Sequence, residues 1–347
     1  MKYLKRAMPL LISACMMAAV LSGCGAAPSS SGTGDQGGVY PSRDIQGSIM
    51  WSAGGVCDVT ARGIGAIAQE ILGTDIIFTN RAGAGGAVST AYVDAQRADG
   101  YELLFGAENP QIAKVMGTSE IDYDDFTPVA LHCTTYAVVS VGKDSPYNTV
   151  EELVDAVLAE GSGMIMATTG AGGLPEVVAA MWADVLGTAP TMVPFDGENE
   201  CMTAIMGGNA DYTITTLGSA AGFYRSGDIK ILAVMAEETV PGYEEVPVIT
   251  DSYNGFGKYL PWGPFYGVFV KNGTDASVVE TLAAAFTQAA DDQAYLDLIA
   301  ANGCFPMNLS GDEAVEYIRN YRSVTSWLLY DSGTAVNSPE DYGIAKP

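Results

Sequence analysis

The sequence predicts an α/β protein of roughly two domains, and three observations carry that expectation. Apolar and β-branched runs alternate with helix-periodic segments, the pattern of parallel sheets covered by helices. A strand, a small-residue loop and a helix start recur together, first at residues 45–62 and again at residues 164–186. The 347 residues, 48% of them hydrophobic, suffice for a sizeable core in about two units.

The first 39 residues stand apart. Lys2, Lys5 and Arg6 form a basic start, and Met8 to Val20 is an apolar run too short to span a membrane as a stable helix. This reads as an export signal over residues 1–23. It ends Leu21-Ser22-Gly23-Cys24, similar to the lipobox of bacterial lipoproteins, whose cysteine is acylated and becomes the first residue. Residues 24–39 are rich in Gly, Ser, Ala and Pro without periodicity, the composition of a flexible tether. The expectation is an exported protein held on the lipid bilayer through acylated Cys24.

Ile45 to Trp51 reads as a buried strand, and Ser52 to Gly55 as its exit loop. Asp58 is the expected N-cap of a helix whose apolar positions Ile64, Ile67, Ala68 and Ile71 follow helical spacing, with Gly73 ending it. Gly63 and Gly65 weaken this helix intrinsically, so packing has to hold it. Loop glycines admit a ligand to the backbone, and the first helical N–H groups have no intrahelical partner. Ser52, Ala53, Gly54, Gly55 and Asp58 therefore form a candidate anion seat.

Asp75 to Thr79 is the next strand, followed by the glycine loop Asn80 to Gly86 and a helix to about Arg97. The loop lacks the third glycine of a dinucleotide fingerprint, Val88 standing in its place. A second backbone anion cradle at Gly83, Ala84, Gly85 and Gly86 is the expectation. Tyr101 to Phe105 is a strand with Gly106 to Pro110 as its exit loop. Val129 to Val141 is long enough to cross between domains.

Thr149 and Glu152 form a capping box for a helix to about Glu160. The strand Met164 to Ala167 leads into Thr168-Thr169-Gly170-Ala171-Gly172-Gly173, and Pro175 suits the first position of a helix to about Leu186. This repeats the device at Ser52–Asp58. Strands follow at Thr191–Pro194, Asp211–Thr215 and Lys230–Met235, and again at Trp262–Val270. Helices close the chain over about Ala276–Asp291 and Gln293–Ala301, with a last one capped by Ser310 and Glu313.

Composition excludes some functions. Sixteen Lys and Arg against 41 Asp and Glu give a net charge of -25, with no basic stripe for a nucleic-acid backbone. The one histidine, His132, lies in an apolar run and reads as a core residue. No nucleophile elbow, paired-cysteine zinc motif or phosphate loop appears, so no enzyme, cofactor or metal is expected. Cys57, Cys133, Cys201 and Cys304 are widely spaced and read as buried thiols, although export leaves disulfides open. The glycine loops read as backbone cradles for a small anion, against the alternative that they only make tight turns.

At these residues the chain resembles the tripartite tricarboxylate transporter substrate-binding proteins, the Bug or TctC family. Tyr40-Pro41-Ser42-Arg43 matches the start of that family. Ala53-Gly54-Gly55-Val56-Cys57-Asp58 with Ala61-Arg62 is similar to its A-G-G-x-x-D-x-x-A-R signature, and Asn80 to Gly86 to its N-R-P-G-A-G-G loop. Asp99-Gly100-Tyr101, Val193-Pro194-Phe195, Gly207-Gly208-Asn209-Ala210-Asp211 and Trp262 to Gly267 follow in order. Ala82 replaces the usual proline, Val56-Cys57 a small polar pair, and Leu174-Pro175-Glu176 departs from the pattern of the second-domain loop.

The resemblance implies a two-domain periplasmic-binding-protein fold, type II-like, with the ligand cleft between domains. It implies domain 1 over residues 40–138 plus 262–347, and domain 2 over residues 139–261. It also implies a small organic carboxylate as ligand and the membrane permease subunits of a tripartite tricarboxylate transporter as partners. Carried over residue by residue, it points to Ser52, Ala53, Gly54, Gly55, Asp58 and Gly83 to Gly86, and on the second domain to Thr168, Thr169, Gly170 and Asp196. The competing readings are a binder of an amino acid or other zwitterion, a tethered enzyme using the cleft, and a ligand-presenting sensor subunit.

Overall fold

The computed structural model describes residues 40–188, 190–195, 197–260 and 262–347. Cys24, its tether and the export signal lie outside the described residues, as does Asp196.

The chain begins with β1 (Ile45–Ile49), α1 (Val56–Leu72), β2 (Ile76–Asn80), α2 (Ala87–Asp94), β3 (Glu102–Ala107), a short α3 (Ala113–Met116) and β4 (Phe126–Thr135). It then builds a second unit from β5 (Ala137–Gly142), α4 (Val150–Glu160), β6 (Ile165–Thr168), α5 (Leu174–Leu186), β7 (Thr191–Pro194), α6 (Glu198–Met206), β8 (Tyr212–Thr216), α7 (Leu217–Ser226), β9 (Ile229–Val234) and a short α8 (Ile249–Ser252). It returns through β10 (Phe265–Lys271), α9 (Ala276–Ala290), α10 (Gln293–Ala301), β11 (Cys304–Leu309) and the long α11 (Gly311–Asp331).

Two sheets result. The first has the order β11-β4-β10-β3-β1-β2, and the second β7-β6-β8-β5-β9. The sheets are mixed rather than parallel throughout. β1 is parallel to β2 and β3, and β6 to β7 and β8, each joined by a crossover helix. β10 is antiparallel to β3 and β4, β11 to β4, and β5 to β8 and β9. The antiparallel pairs sit where the chain leaves one domain and re-enters it, and strand alternation alone does not register that traffic. The run expected as one long strand is two, broken at Tyr136, with β4 in the first sheet and β5 in the second.

Local sequence explains most element starts. Thr149 caps α4 by accepting from Glu152 N–H at 3.3 Å, and Glu152 in turn accepts from Asn148 N–H at 2.7 Å. Two expected caps are corrected. The N-cap of α1 is Gly55, in extended conformation, and Asp58 lies within the first turn. Ser310 is the N-cap of α11, but its side chain makes no capping hydrogen bond. The glycines inside α1 are explained by close approach. A Cβ at Gly63 would collide with Leu298 of α10, and one at Gly65 with Phe78 of β2. Cys57, Ala61, Ile64 and Ala68 form the buried face of this helix, packed with Phe105 and Phe286. The four described cysteines are free and buried. His132 is buried and hydrogen-bonded through Nδ1 to the Tyr295 hydroxyl at 2.6 Å.

Candidate functional site

A cavity of about 210 Å³ lies where the two sheets face each other. Its walls are the segments that follow the C-terminal ends of β1, β3, β6, β7 and β8, together with Pro264 and Tyr266 at the start of β10. Ligand sites of open α/β sheets occupy this position because loops there are free of the ladder and helix N-termini converge on it. The volume suits a small metabolite.

The wall from β1 is the expected seat. Trp51, Ser52, Ala53, Gly55, Val56 and Cys57 line the cavity. Gly54 holds the turn with a φ of 82°, a left-handed conformation that a side chain would strain. Asp58 stands behind this loop rather than in the cavity. Its carboxylate accepts from Gly54 N–H at 2.9 Å, from Asn80 Nδ2 at 2.9 Å and from Arg62 Nε at 2.7 Å. Burial pushes the Asp58 carboxyl up, but those three donors outweigh it and hold the group below the usual aspartate value. Asn80 also donates to Trp51 O at 2.9 Å, so the loops after β1 and β2 are tied together. Gly54 N–H is thereby used internally, and the N–H groups of Val56 and Cys57, the first of α1, are left for a ligand.

The second glycine loop is not a wall of the cavity among the described residues. Gly83, Ala84, Gly85 and Gly86 lie beside it, and a Cβ at Gly85 would come within 3.7 Å of Ala171 O in the second domain. The loop therefore meets the opposing glycine loop. Gly86 N–H closes its own turn onto Gly83 O at 3.1 Å, and a Cβ at Gly86 would collide with Met50. From the loop after β6, Thr169 and Leu174 line the cavity. Thr168 is buried, and its hydroxyl accepts from Gly170 N–H at 3.4 Å. Gly172 N–H donates to Glu176, which thus caps the loop before α5.

Several lining residues carried no signal in the sequence. Glu108 and Asn109 follow β3, Glu198, Asn199 and Glu200 open α6, and Thr216 and Ser219 open α7. Asn109 Nδ2 donates to Gly172 O at 2.9 Å and joins the two domains at one edge of the cavity. Arg225 Nη1 donates to Ala301 O at 3.2 Å in a second contact between them. Glu198 accepts from Thr216 N–H at 2.9 Å and from the hydroxyls of Thr216 and Ser219. Glu108 is 8% exposed, and burial pushes its carboxyl up to about 8, with the charge of Glu198 adding to the rise. No Lys, Arg or His is among the described lining residues. No group of three or more His, Cys, Asp or Glu among the described residues has the geometry to hold a metal ion.

Comparison with known proteins fits this arrangement. The model of the tripartite tricarboxylate transporter family receptor, TctC, matches residues 60–328. BugT of Bordetella pertussis is 25% identical over 283 residues, covering 80% of this chain and 86% of BugT. A TctC solute-binding protein from Polaromonas is 26% identical with a TM-score of 0.66, covering 84% of this chain and 99% of that one. MatC from Rhodopseudomonas palustris, solved with bound malate, superposes with a TM-score of 0.75 at 24% identity, covering 84% of this chain and all of that one. With its two mixed sheets, its cavity between them and this match over most of its length, the chain belongs to the TctC family of tripartite tricarboxylate transporter receptors, extracytoplasmic proteins with a periplasmic-binding-protein fold.

Proposed function

We propose that this protein captures a small organic carboxylate between its two domains and hands it to a tripartite tricarboxylate-type permease. The observation that carries the reading is the α1 N-terminus opening into the cavity, with Ser52, Ala53 and Gly55 before it and its first N–H groups unused within the helix. An anion there gains from both the free N–H groups and the helix dipole. Thr169 of the second domain lines the same cavity. Capture needs no covalent step. The ligand shifts the population of open and closed domains by binding the closed one better. Malate in MatC is consistent with a carboxylate of this size.

The proposal extends to the membrane. Acylated Cys24 anchors the chain, and residues 24–39 give the binding unit its reach. Two measurements test these readings. Isothermal titration of the refolded, ligand-stripped protein with di- and tricarboxylates and amino carboxylates should give saturable binding, lost when bulk is introduced at Ser52–Gly55. Silence across all carboxylates would remove the first reading. Cys24→Ser should move the protein from the membrane to the soluble fraction, and unchanged membrane retention would remove the second.

A further inference from the structure

The cavity wall carries two kinds of polar group. The first N–H groups of α1 open onto it, and so do Glu108 from the first domain and Glu198 and Glu200 from the second. The two arginines carried by α1 and by the loop after β2 face elsewhere. Arg62 serves Asp58 and Asn80, while Arg81 donates to the Ser48 hydroxyl at 3.2 Å and stacks on Tyr92 at 3.5 Å. Neither lines the cavity.

Two of the other helix N-termini around the cavity are already supplied with acids from the chain. Glu176 takes Gly172 N–H before α5, and Glu198 takes the Thr216 and Ser219 donors at α7. α6 opens onto the cavity with Glu198 and Glu200 in its own first turn. α1, whose one first-turn acid Asp58 is turned to Gly54, Asn80 and Arg62, is the start best placed for a ligand anion. The opposite need exists at the acids. Glu108 is more than nine-tenths buried and faces the cavity. Apart from its own backbone N–H and its neighbour Asn109, no described residue offers it a donor, and none offers a cation. Glu198 has three of its roughly four acceptor positions filled by neutral donors. Burial raises the pKa of both groups, with the donors of Glu198 working against the rise. A buried carboxylate without a counter-charge is costly, and two facing each other across a cleft more so.

We propose that the ligand carries an ammonium group as well as a carboxylate, and that Glu108 and Glu198 are the two halves of its ammonium site. The inference rests on the carboxylate-capture reading for the other end of the ligand. A metal ion is a poorer occupant, because the described acids do not converge on one point. An ammonium group instead distributes three separate N–H donors and can reach an acid on each domain. The empty site would hold the domains apart through repulsion between Glu108 and Glu198, and the cation would turn that repulsion into a bridge. Tyr266 and Cys57, also in the wall, are kept neutral by burial and add no charge.

The test uses matched pairs differing only in the amine: L-aspartate with succinate, L-glutamate with glutarate, 5-aminovalerate with valerate, and the remaining proteinogenic amino acids as a panel. Titration calorimetry should find an amino carboxylate that binds at least about 30-fold more tightly than its amine-free partner, the scale of a buried charge pair. Glu108→Gln, whose side chain supports no other element, should abolish that preference while circular dichroism remains unchanged. Glu198→Gln gives a second, independent reading. Binding at pH 7 should release protons, because an ammonium favours ionised Glu108, whereas a purely anionic ligand would drive uptake.

If amine-free acids bind as well as their amino partners, or if neither an amino carboxylate nor putrescine binds, the ammonium site is refuted. In the first of those outcomes carboxylate capture still stands. If putrescine binds and no carboxylate does, carboxylate capture fails while the acids keep their role.

Discussion

Replacing Asp58 with Asn removes an acceptor from a carboxylate that holds three donors from three different segments. One oxygen serves Gly54 N–H, and the other serves Arg62 and Asn80. The amide of Asn can satisfy one side only and presents an N–H₂ to the donors on the other. A hydrogen bond to a charged group is worth about 1.5–3 kcal/mol. The Arg62 side chain is 45% exposed, so its share is discounted to the roughly 0.2–1 kcal/mol of a surface pair. The net cost is about 2–3 kcal/mol, a fall of about 3–5 °C in the unfolding midpoint for a protein of this size.

The dependence on pH has a definite sign. The folded Asp58 carboxyl lies below its unfolded value, so its contribution is complete above about pH 4 and is lost as pH falls through the lower folded value. Thermal denaturation from pH 7 to pH 3 should therefore show the parent and Asp58→Asn converging only at the acid end. Ligand affinity at pH 7 should drop as well, because the Ser52–Gly55 loop loses its support. Equal midpoints at pH 7, with affinity unchanged, would refute the view that Asp58 builds the seat from behind.

Other perturbations separate local backbone, closure and core. Gly54→Ala forces a side chain into a left-handed residue and should cost about 1–2 kcal/mol. Gly55→Ala, at a φ of -77° with only Ser52 O at 3.5 Å from the new carbon, should unfold close to the parent. Equal denaturation curves for the two would contradict the loop geometry. Asn109→Ala removes the donor to Gly172 O that joins the domains, and about 1–2 kcal/mol of closed-state stability should appear as a 5- to 30-fold weaker affinity. Small-angle scattering of ligand-bound Asn109→Ala that matches the parent, at unchanged affinity, would count against a latch. Arg322→Met leaves the fully buried Asp122 with Lys114 at 3.0 Å as its one described cation and Asp124 N–H at 2.8 Å, and urea unfolding should register a loss of about 3–5 kcal/mol. A shift below about 1 kcal/mol would place that pair outside the stabilising core.

The legible parts of the molecule were those written locally. Glycines that end helices, Thr149 with Glu152, and the strand–loop–helix device at Ser52–Gly55 depend on a few adjacent residues. Asp58 was legible as a residue of the seat, but its true partners are Gly54 beside it and Asn80, 22 residues away. β11 carries Pro306 and Asn308, which weaken any strand reading, and draws its identity from pairing with β4. Glu108 and Glu198 look like any of the 41 acids in the sequence. Only the apposition of the two sheets brings the ends of β3 and β7 to one cavity, and it is their place in its wall without a cation beside them that makes those two acids unlike the rest.

The apolar cluster that contains Leu104 and Phe269 of the first sheet also contains Val139, Trp182 and Tyr212 of the second domain, and α11 packs on both β4 and α5. Each domain also has a cluster of its own, but the shared one means that neither can melt without exposing part of the other. Scanning calorimetry should record one endotherm whose calorimetric and van't Hoff enthalpies agree, despite the division into two sheets. The shared cluster makes the protein thermodynamically one body with a slot cut into it.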